Sequence, residues 1–256
     1  MKNNIKSEKL DFEKIDKEII NTEFKDIIKD IPEIFNIENR INTCAYLNWR
    51  FEPYDKTENQ FFNMAEGYFE TAICLLRECI NDVHSKKSDI WIFPILFNII
   101  HGIEIYLKGF NSLYTILKNL ASYQENKNTK IEGAHDIKQL CETAIAKIRA
   151  TGKKDENDKS ILEGMNFILC FINMIYDKTD DMAFCRYPLN KKNKQKQFYV
   201  SNDNITIELY YFYIWVVKVF NTLSNICDYI YYEVGEIEDY LREEAYYESL
   251  EYYDYY

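Results

Sequence analysis

The sequence predicts an all-α protein, an antiparallel helical bundle with a small β-hairpin insertion around residues 182–207. Three observations predict this fold. The 256 residues include only 7 Gly and 4 Pro, and so few turn-forming residues favour long helices. Apolar residues recur at helical spacing through residues 57–84. Between 182 and 207 the period changes, because the stretches "AFCRYP" and "QFYVS" flank a basic turn, as the strands of a hairpin do.

The helices can be placed in order along the chain. Residues 6–38 predict one or two charged amphipathic helices that stop near Pro32. Thr57 and Gln60 match a capping box at the start of the clearest helix, and Pro94 suits the first turn of the next. The later helices are predicted at 93–120, 135–150, 160–178 and 206 to at least 232. This division gives an N-terminal helical segment (1–50), a bundle (51–232) and an acidic, tyrosine-rich tail (233–256).

The composition limits the location and the partners of the protein. The seven cysteines include no CxxC pair, so we interpret them as reduced thiols. The charged start of the chain does not resemble a signal peptide, and the oiliest late run, 209–217, is too short to span a membrane. We therefore expect a cytoplasmic protein that makes no membrane contact. Since no phosphate-binding Gly-Lys loop or metal-ligand spacing occurs, we expect neither a metal nor a cofactor.

The net charge of −11 is unevenly distributed. Residues 228–256 contain ten acidic residues and one arginine, together with ten of the 22 tyrosines. The rest of the chain is nearly neutral and includes a basic stretch, 186–200, with five Lys or Arg and no acid. An acidic overall charge therefore does not exclude RNA as a partner.

A polar stripe interrupts the apolar stretch 92–110. His101, Glu104 and Lys108 fall within an arc of about 60° on a helix of 100° per residue. One interpretation is structural, with Glu104 and Lys108 forming an ion pair along the helix and His101 as an interior imidazole. A functional site would need further polar groups from elsewhere in the chain. His135 and Asp136, at the start of a predicted helix, and Arg186 are the candidates.

These segments resemble a motif series of the HEPN-like helical superfamily, whose bacterial members are often linked to phage defence. The stretches "PILFNIIHGIEIYLKGF", "GAHDIKQL" and "DKTDDMAFCRYPLNKKNKQKQFYV" follow the order RHxxELxLK, Gly-His-Asp-Leu and FRYP over about residues 94–200. The chain departs from the series at Ile100, where Arg is usual, at Ile137 in place of Leu, and at Cys185, which interrupts the Phe-Arg pair. The resemblance implies an all-helical fold, RNA-directed chemistry and a homodimer.

HEPN ribonucleases carry an Arg-x4–6-His motif, and "RECINDVH" (77–84) matches it with Arg77 and His84. The RNA 2′-hydroxyl is the nucleophile in such cleavage, so the protein must supply a proton acceptor or donor and a cation for the charged phosphorane. Histidine and arginine supply these groups without a metal. The structural alternative is a solvated Arg77 on a helix and a His84 at the helix end.

Two functions from different classes remain open. The first is an HEPN-like, metal-independent endoribonuclease acting as a toxin or phage-defence effector. In it Arg77 and His84 are catalytic, and Lys191, Lys192, Lys194 and Lys196 bind the nucleic-acid backbone. The second is a non-catalytic HEPN-like binding or sensor module that engages a partner protein or a nucleotide through the basic hairpin and the acidic tail. For the tail, residues 233–256, three alternatives are open: it binds a partner protein such as an antitoxin, it docks on the basic hairpin, or it is a structural extension of the last helix whose rings cover the bundle.

Overall fold

The computed structural model describes residues 11–23, 26–27, 45, 57–121, 133–150, 156–179, 182–187 and 205–253. For residues 12, 13, 121 and 248–253 it describes the backbone alone. The chain divides into two compact units, Met1–Leu47 and Asn48–Tyr256. In the described residues the regular structure is entirely helical, which confirms the predicted all-α class.

The first unit contains helix α1, Phe12–Asn21. The Asp11 side chain caps it by accepting a hydrogen bond from the backbone N–H of Lys14 at 3.2 Å. An Asp at this position satisfies one of the backbone donors that have no partner in the first turn. Much of the remaining predicted helical segment 6–38 lies outside the described residues.

The second unit contains five α-helices and one 3-10 helix within its described ranges. Their bounds lie close to the predicted ones, although the second of these helices begins five residues earlier than predicted, so that Pro94 lies inside it. The elements are α2 (Thr57–Asn81), α3 (Ser88–Ala121), α4 (Ile137–Ala150), α5 (Glu156–Tyr176), the 3-10 helix η1 (Met182–Cys185) and α6 (Leu209–Tyr253).

Glycines allow the helices of the bundle to approach closely. α2 and α3 are antiparallel, since Gly109 faces Phe62 near the start of α2 and Gly102 faces Phe69 further along it. A Cβ at Gly109 would lie 2.6 Å from the Phe62 ring, closer than van der Waals packing permits. Gly164 plays the same part between α5 and α6, where it faces Ile226.

The core extends through all five α-helices of this unit and includes η1. Phe69 of α2 stacks on Phe220 of α6 at 5.1 Å between ring centroids. α4 is joined to α3 by a hydrogen bond from Asn111 Nδ2 to the Leu140 carbonyl, at 3.0 Å. Its other side contacts α5, where the Cys141 thiol donates to the Met165 carbonyl at 3.5 Å. The helical bundle predicted from sequence is therefore present.

Helix α3 is the most apolar helix of the bundle. Among the described helices it is the one whose length and composition would allow it to cross a membrane, over Ser88–Leu120. Half of its most apolar window is buried within the protein. The core helix of a soluble protein meets the same criteria of length and composition.

The predicted β-hairpin is not found where the structure describes the chain. Met182–Cys185 forms η1 instead of the first strand, so that part of the prediction is wrong. Ala183, Phe184 and Cys185 are all buried, whereas a strand would point alternate side chains to opposite faces. The turn and second strand, with Lys191, Lys192, Lys194 and Lys196, lie outside the described residues.

The acidic end of the chain continues the last helix. α6 runs without interruption to Tyr253 and includes 45 residues, which correspond to about 68 Å at 1.5 Å per residue. Val234 is the last buried residue along it in the part whose side chains are described. Between residues 235 and 247 most side chains are exposed.

The six cysteines within the described ranges divide into two groups by burial. Cys79, Cys141, Cys185 and Cys227 are buried, whereas Cys74 and Cys170 are exposed, and all six are free thiols. Burial raises the pKa of the Cys141 thiol to about 12 and raises that of Cys227 well above its usual value. The thiols of Cys141 and Cys227 therefore stay protonated and behave as small apolar groups.

Candidate functional site

The centre of the candidate site is the Glu104 carboxylate on α3. Its Oε1 accepts a hydrogen bond from Lys108 Nζ at 2.9 Å and another from His135 Nδ1 at 2.8 Å. Its Oε2 lies 3.7 Å from Nδ1 of His101. A single carboxylate thus has one ammonium and two imidazoles around it, and His135 comes from the segment that precedes α4.

The electrostatics keep Glu104 ionised. Burial acts to raise its pKa, but the hydrogen bonds from Lys108 and His135 and the nearby positive charges outweigh burial and lower the pKa below its ordinary value of 4.5. The side chains of Glu104 and Lys108 are only 13% and 11% exposed. An ion pair in such a position needs both partners, because a lone buried charge is costly.

The His135 side chain is exposed, whereas the Glu104 carboxylate that binds it is largely buried. Its side chain is 81% exposed although its Nδ1 contacts the buried carboxylate. Since an ionised carboxylate can only accept hydrogen bonds, Nδ1 is the donor, and in the neutral ring Nε2 is the basic nitrogen. This arrangement fixes the tautomer of His135 and leaves its basic nitrogen on the accessible side of the ring.

Asp136 and Tyr176 hold the backbone next to His135. Asp136 Oδ1 accepts a hydrogen bond from the backbone N–H of Gln139 at 3.0 Å, which caps α4. The same oxygen accepts a hydrogen bond from the Tyr176 hydroxyl of α5 at 2.9 Å. Burial and this contact with Asp136 raise the pKa of Tyr176. Asp136 therefore fixes the backbone at the start of α4, directly after His135.

His101 belongs to a series of rings and one cation. It lies edge-on to Tyr68 of α2, with centroids 4.6 Å apart, and stacks on Phe97 at 5.6 Å. The Arg186 guanidinium lies 5.9 Å from the centroid of the Phe97 ring and 5.8 Å from that of Tyr187. We call Tyr68, His101, Phe97, Arg186 and Tyr187 the ring series.

The structure thus brings together the three sequence segments that carry the predicted polar site. His101, Glu104 and Lys108 of α3 meet His135 directly, and Arg186 joins them through Phe97. Sequence reasoning missed Phe97, Tyr68 and Tyr176. Phe97 could have been found, because it precedes His101 by four residues on one helix. Tyr68 and Tyr176 contact the site only through helix pairing, which the sequence does not state.

The predicted catalytic pair lies at the end of α2. Arg77 donates from Nε and Nη2 to the Tyr213 hydroxyl of α6, each at 3.1 Å, and its guanidinium lies over that ring at 5.6 Å. α2 ends at Asn81, so His84 lies in the exposed turn that follows. Within the described ranges no hydrogen bond or ring contact joins Arg77 to His84, and their catalytic role stays a prediction.

Among the described side chains no group of three or more His, Cys, Asp or Glu is arranged to hold a metal ion. No family model matches the sequence, and comparisons with curated proteins and with solved structures find no significant match.

Proposed function

We propose that the protein is an HEPN-like, metal-independent endoribonuclease whose reacting groups are gathered around Glu104. The observation that carries this proposal is the 2.8 Å hydrogen bond between His135 Nδ1 and Glu104 Oε1. It joins a well-exposed imidazole to an ionised carboxylate, the pairing that orients a histidine as a general base. The motif resemblance adds the expected setting, a toxin or phage-defence effector that acts as a homodimer.

In the proposed reaction, Nε2 of His135 removes the proton from the RNA 2′-hydroxyl. The oxygen attacks the adjacent phosphorus, and the bond to the 5′-oxygen breaks, leaving a 2′,3′-cyclic phosphate and a 5′-hydroxyl. Glu104 stabilises the imidazolium that forms, because its carboxylate accepts from Nδ1 throughout. General acid–base catalysis of this kind contributes about 10²–10⁴-fold to a rate.

His101 and Arg186 are candidates for the two other groups that the proposed reaction needs, a proton donor and a cation. His101 lies 3.7 Å from the same carboxylate and is the candidate acid for the departing 5′-oxygen. Arg186 is exposed and is the candidate cation for the charged phosphorane. Lys108 is bound to Glu104 at 2.9 Å and is largely buried, so its role is to balance the carboxylate charge.

The test is single-turnover cleavage of a fluorescent mixed-sequence RNA in the presence of EDTA. We expect His135→Ala to reduce the rate by roughly 10²–10⁴-fold. The wild-type protein should not cleave the same sequence as DNA, since DNA lacks the 2′-hydroxyl. Wild-type cleavage rates in His135→Ala would contradict the proposal, as would cleavage of the DNA strand.

The variant His84→Ala is the matched control, because it removes an imidazole from the other candidate position. If His84→Ala abolishes cleavage and His135→Ala does not, the catalytic assignment moves from His135 to the Arg77/His84 pair. If the wild-type protein binds RNA without cleaving it, the alternative of a binding or sensor module is favoured. Circular dichroism of each variant shows whether the bundle is still folded.

A further inference from the structure

The ring series extends from half-buried rings of α2 and α3 to the protein surface. At its inner end, His101 lies between Tyr68 and Phe97, and Phe97 is only partly exposed. At its outer end, Arg186 is exposed and the Tyr187 side chain is 50% exposed. The outer end therefore presents an aromatic ring and a guanidinium to the solvent, directly after η1.

A planar cation among rings is a recognition surface with a defined chemistry. Arg186 contacts Phe97 and Tyr187 at nearly equal distances, 5.9 and 5.8 Å, so its guanidinium is held by both rings. Held in this way, Arg186 places a positive charge against one face of the half-exposed Tyr187 ring, which makes that ring a positively charged stacking surface. Nucleobases stack on such surfaces, and the phosphate that accompanies each base is attracted by the charge.

We propose that Tyr187 and Arg186 form a subsite that stacks an unpaired base of single-stranded RNA. Base pairs inside a duplex are already stacked on both faces, so only an unpaired or terminal base can contact this surface. The ring series then connects the bound base to His101, which stacks on Phe97 and lies 3.7 Å from Glu104. The subsite would place the strand beside the candidate acid–base groups.

This inference deepens the proposed function and rests on its choice of RNA as the ligand. It does not depend on cleavage, since stacking needs neither His135 nor the 2′-hydroxyl. The neighbouring Lys138, whose Nζ lies 5.8 Å from the centroid of the Tyr176 ring, adds positive charge close to Asp136. A second cation near the site is consistent with a strand that passes over it.

The experiment measures binding of a short, fluorescent 2′-O-methyl RNA strand that cannot be cleaved through the 2′-hydroxyl. A second strand with the same backbone but abasic positions has the same charge and no bases. We expect the wild-type protein to bind the intact strand more tightly. Tyr187→Leu should weaken binding of the intact strand by about 5- to 100-fold, the effect of losing one aromatic stack, and leave the abasic strand unchanged.

Two matched variants distinguish stacking from other effects. Tyr187→Phe keeps the ring and should keep wild-type affinity. Tyr232→Leu removes another exposed tyrosine, from α6, and should also leave affinity unchanged. Equal affinity of the wild-type protein for the two strands would overturn the subsite. An equal loss for both strands in Tyr187→Leu, or the absence of any binding, would overturn it too.

The outcomes separate this inference from the proposed function. If Tyr187→Leu shows the selective loss while His135→Ala cleaves RNA at the wild-type rate, the subsite stands and the acid–base assignment fails. If His135→Ala abolishes cleavage while Tyr187→Leu binds both strands normally, the acid–base assignment stands and the subsite fails.

Discussion

The Glu104 carboxylate is tolerated inside the most apolar helix of the bundle because neighbouring side chains donate hydrogen bonds to it. Glu104 is largely buried, which opposes its charge, yet Lys108 and His135 both donate to one of its oxygens. The net result is a lowered pKa and an ion pair in which each buried charge balances the other. The two interpretations of the polar stripe are therefore compatible, since the same ion pair that stabilises α3 also holds His135.

Glu104→Gln tests this balance through its pH dependence. At neutral pH the variant should lose about 1–3 kcal/mol in the free energy of unfolding, because Lys108 keeps a charge that no carboxylate balances. The folded-state pKa of Glu104 lies below its ordinary value of 4.5, so the stabilisation is present above that pH and disappears as the pH falls through the folded-state pKa. The difference between the variant and the wild-type protein should therefore shrink in acid.

Urea unfolding at neutral pH and at a pH below the folded-state pKa of Glu104 measures the effect. Glu163→Gln, at an exposed position on α5, is the control and should leave stability unchanged at both pH values. A difference that stayed constant on acidification would show that the Glu104 carboxylate has the same pKa in the folded and unfolded chain.

At the scale of the elements, the contact between α2 and α3 depends on two glycines. Gly102 and Gly109 are separated by seven residues, two helical turns, and therefore lie on the same face of α3. Each receives a phenylalanine ring of α2. The absence of a side chain allows the two backbones to come close, at the conformational cost that glycine brings to a helix interior.

Gly109→Ala should destabilise the bundle by about 1–3 kcal/mol, because its Cβ would lie 2.6 Å from the Phe62 ring and 3.2 Å from Phe61 Cβ. Gly67→Ala is the matched control on α2, since a Cβ there has no atom within 4 Å. That control should stabilise the protein by about 0.5–1 kcal/mol through helix propensity. Thermal unfolding of both variants measures the difference, and equal shifts would contradict the close-packing argument.

The elements also show what the sequence can predict. The helical periodicity predicted the bounds of α2 to α5 to within about five residues, because a buried stripe repeats over several turns. The stretch at η1 is too short to show a repeating period. Its three consecutive buried residues fit neither an alternating strand nor a longer helix. Within the site, the spacing of Glu104 and Lys108 predicted their ion pair. The contact with His135 crosses 31 residues and could be suspected only from the order of the motifs.

On the scale of the whole molecule, α6 has an apolar first half and an acidic second half. The first half of this helix is embedded in the core through residues such as Val216, Leu223 and Ile230. Beyond Val234 the helix carries acids and exposed tyrosines, including Tyr240, Tyr246 and Tyr247. The acidic tail is therefore helical through Tyr253, and it places most of the net negative charge of the protein at one end of the sequence.

Ending the chain after residue 239 tests the role of this charge. The truncation removes five acidic residues and one arginine, and we expect stronger RNA binding because fewer negative charges repel the backbone. The gain should decrease as salt is added, since screening weakens that repulsion. Binding measured over a salt series checks both expectations.

Glu243→Gln/Glu244→Gln in the full-length chain is the control, because it removes two charges while keeping the tyrosines. It should reproduce part of the gain. The truncated protein should keep the thermal stability of the full chain, since Val234 and the residues before it remain. Unchanged RNA binding at low salt would rule out an electrostatic role for the tail.

The buried cysteines can report the local unfolding of the helices that carry them. Cys79, Cys141 and Cys227 lie in α2, α4 and α6 and are shielded from solvent, while Cys74 and Cys170 are accessible. An alkylating reagent added to the native protein therefore modifies the latter two first. Modification of the other three requires their helices to separate. At reagent concentrations where alkylation is faster than reclosing, mass spectrometry of each cysteine peptide gives the opening rate of each helix without an introduced label.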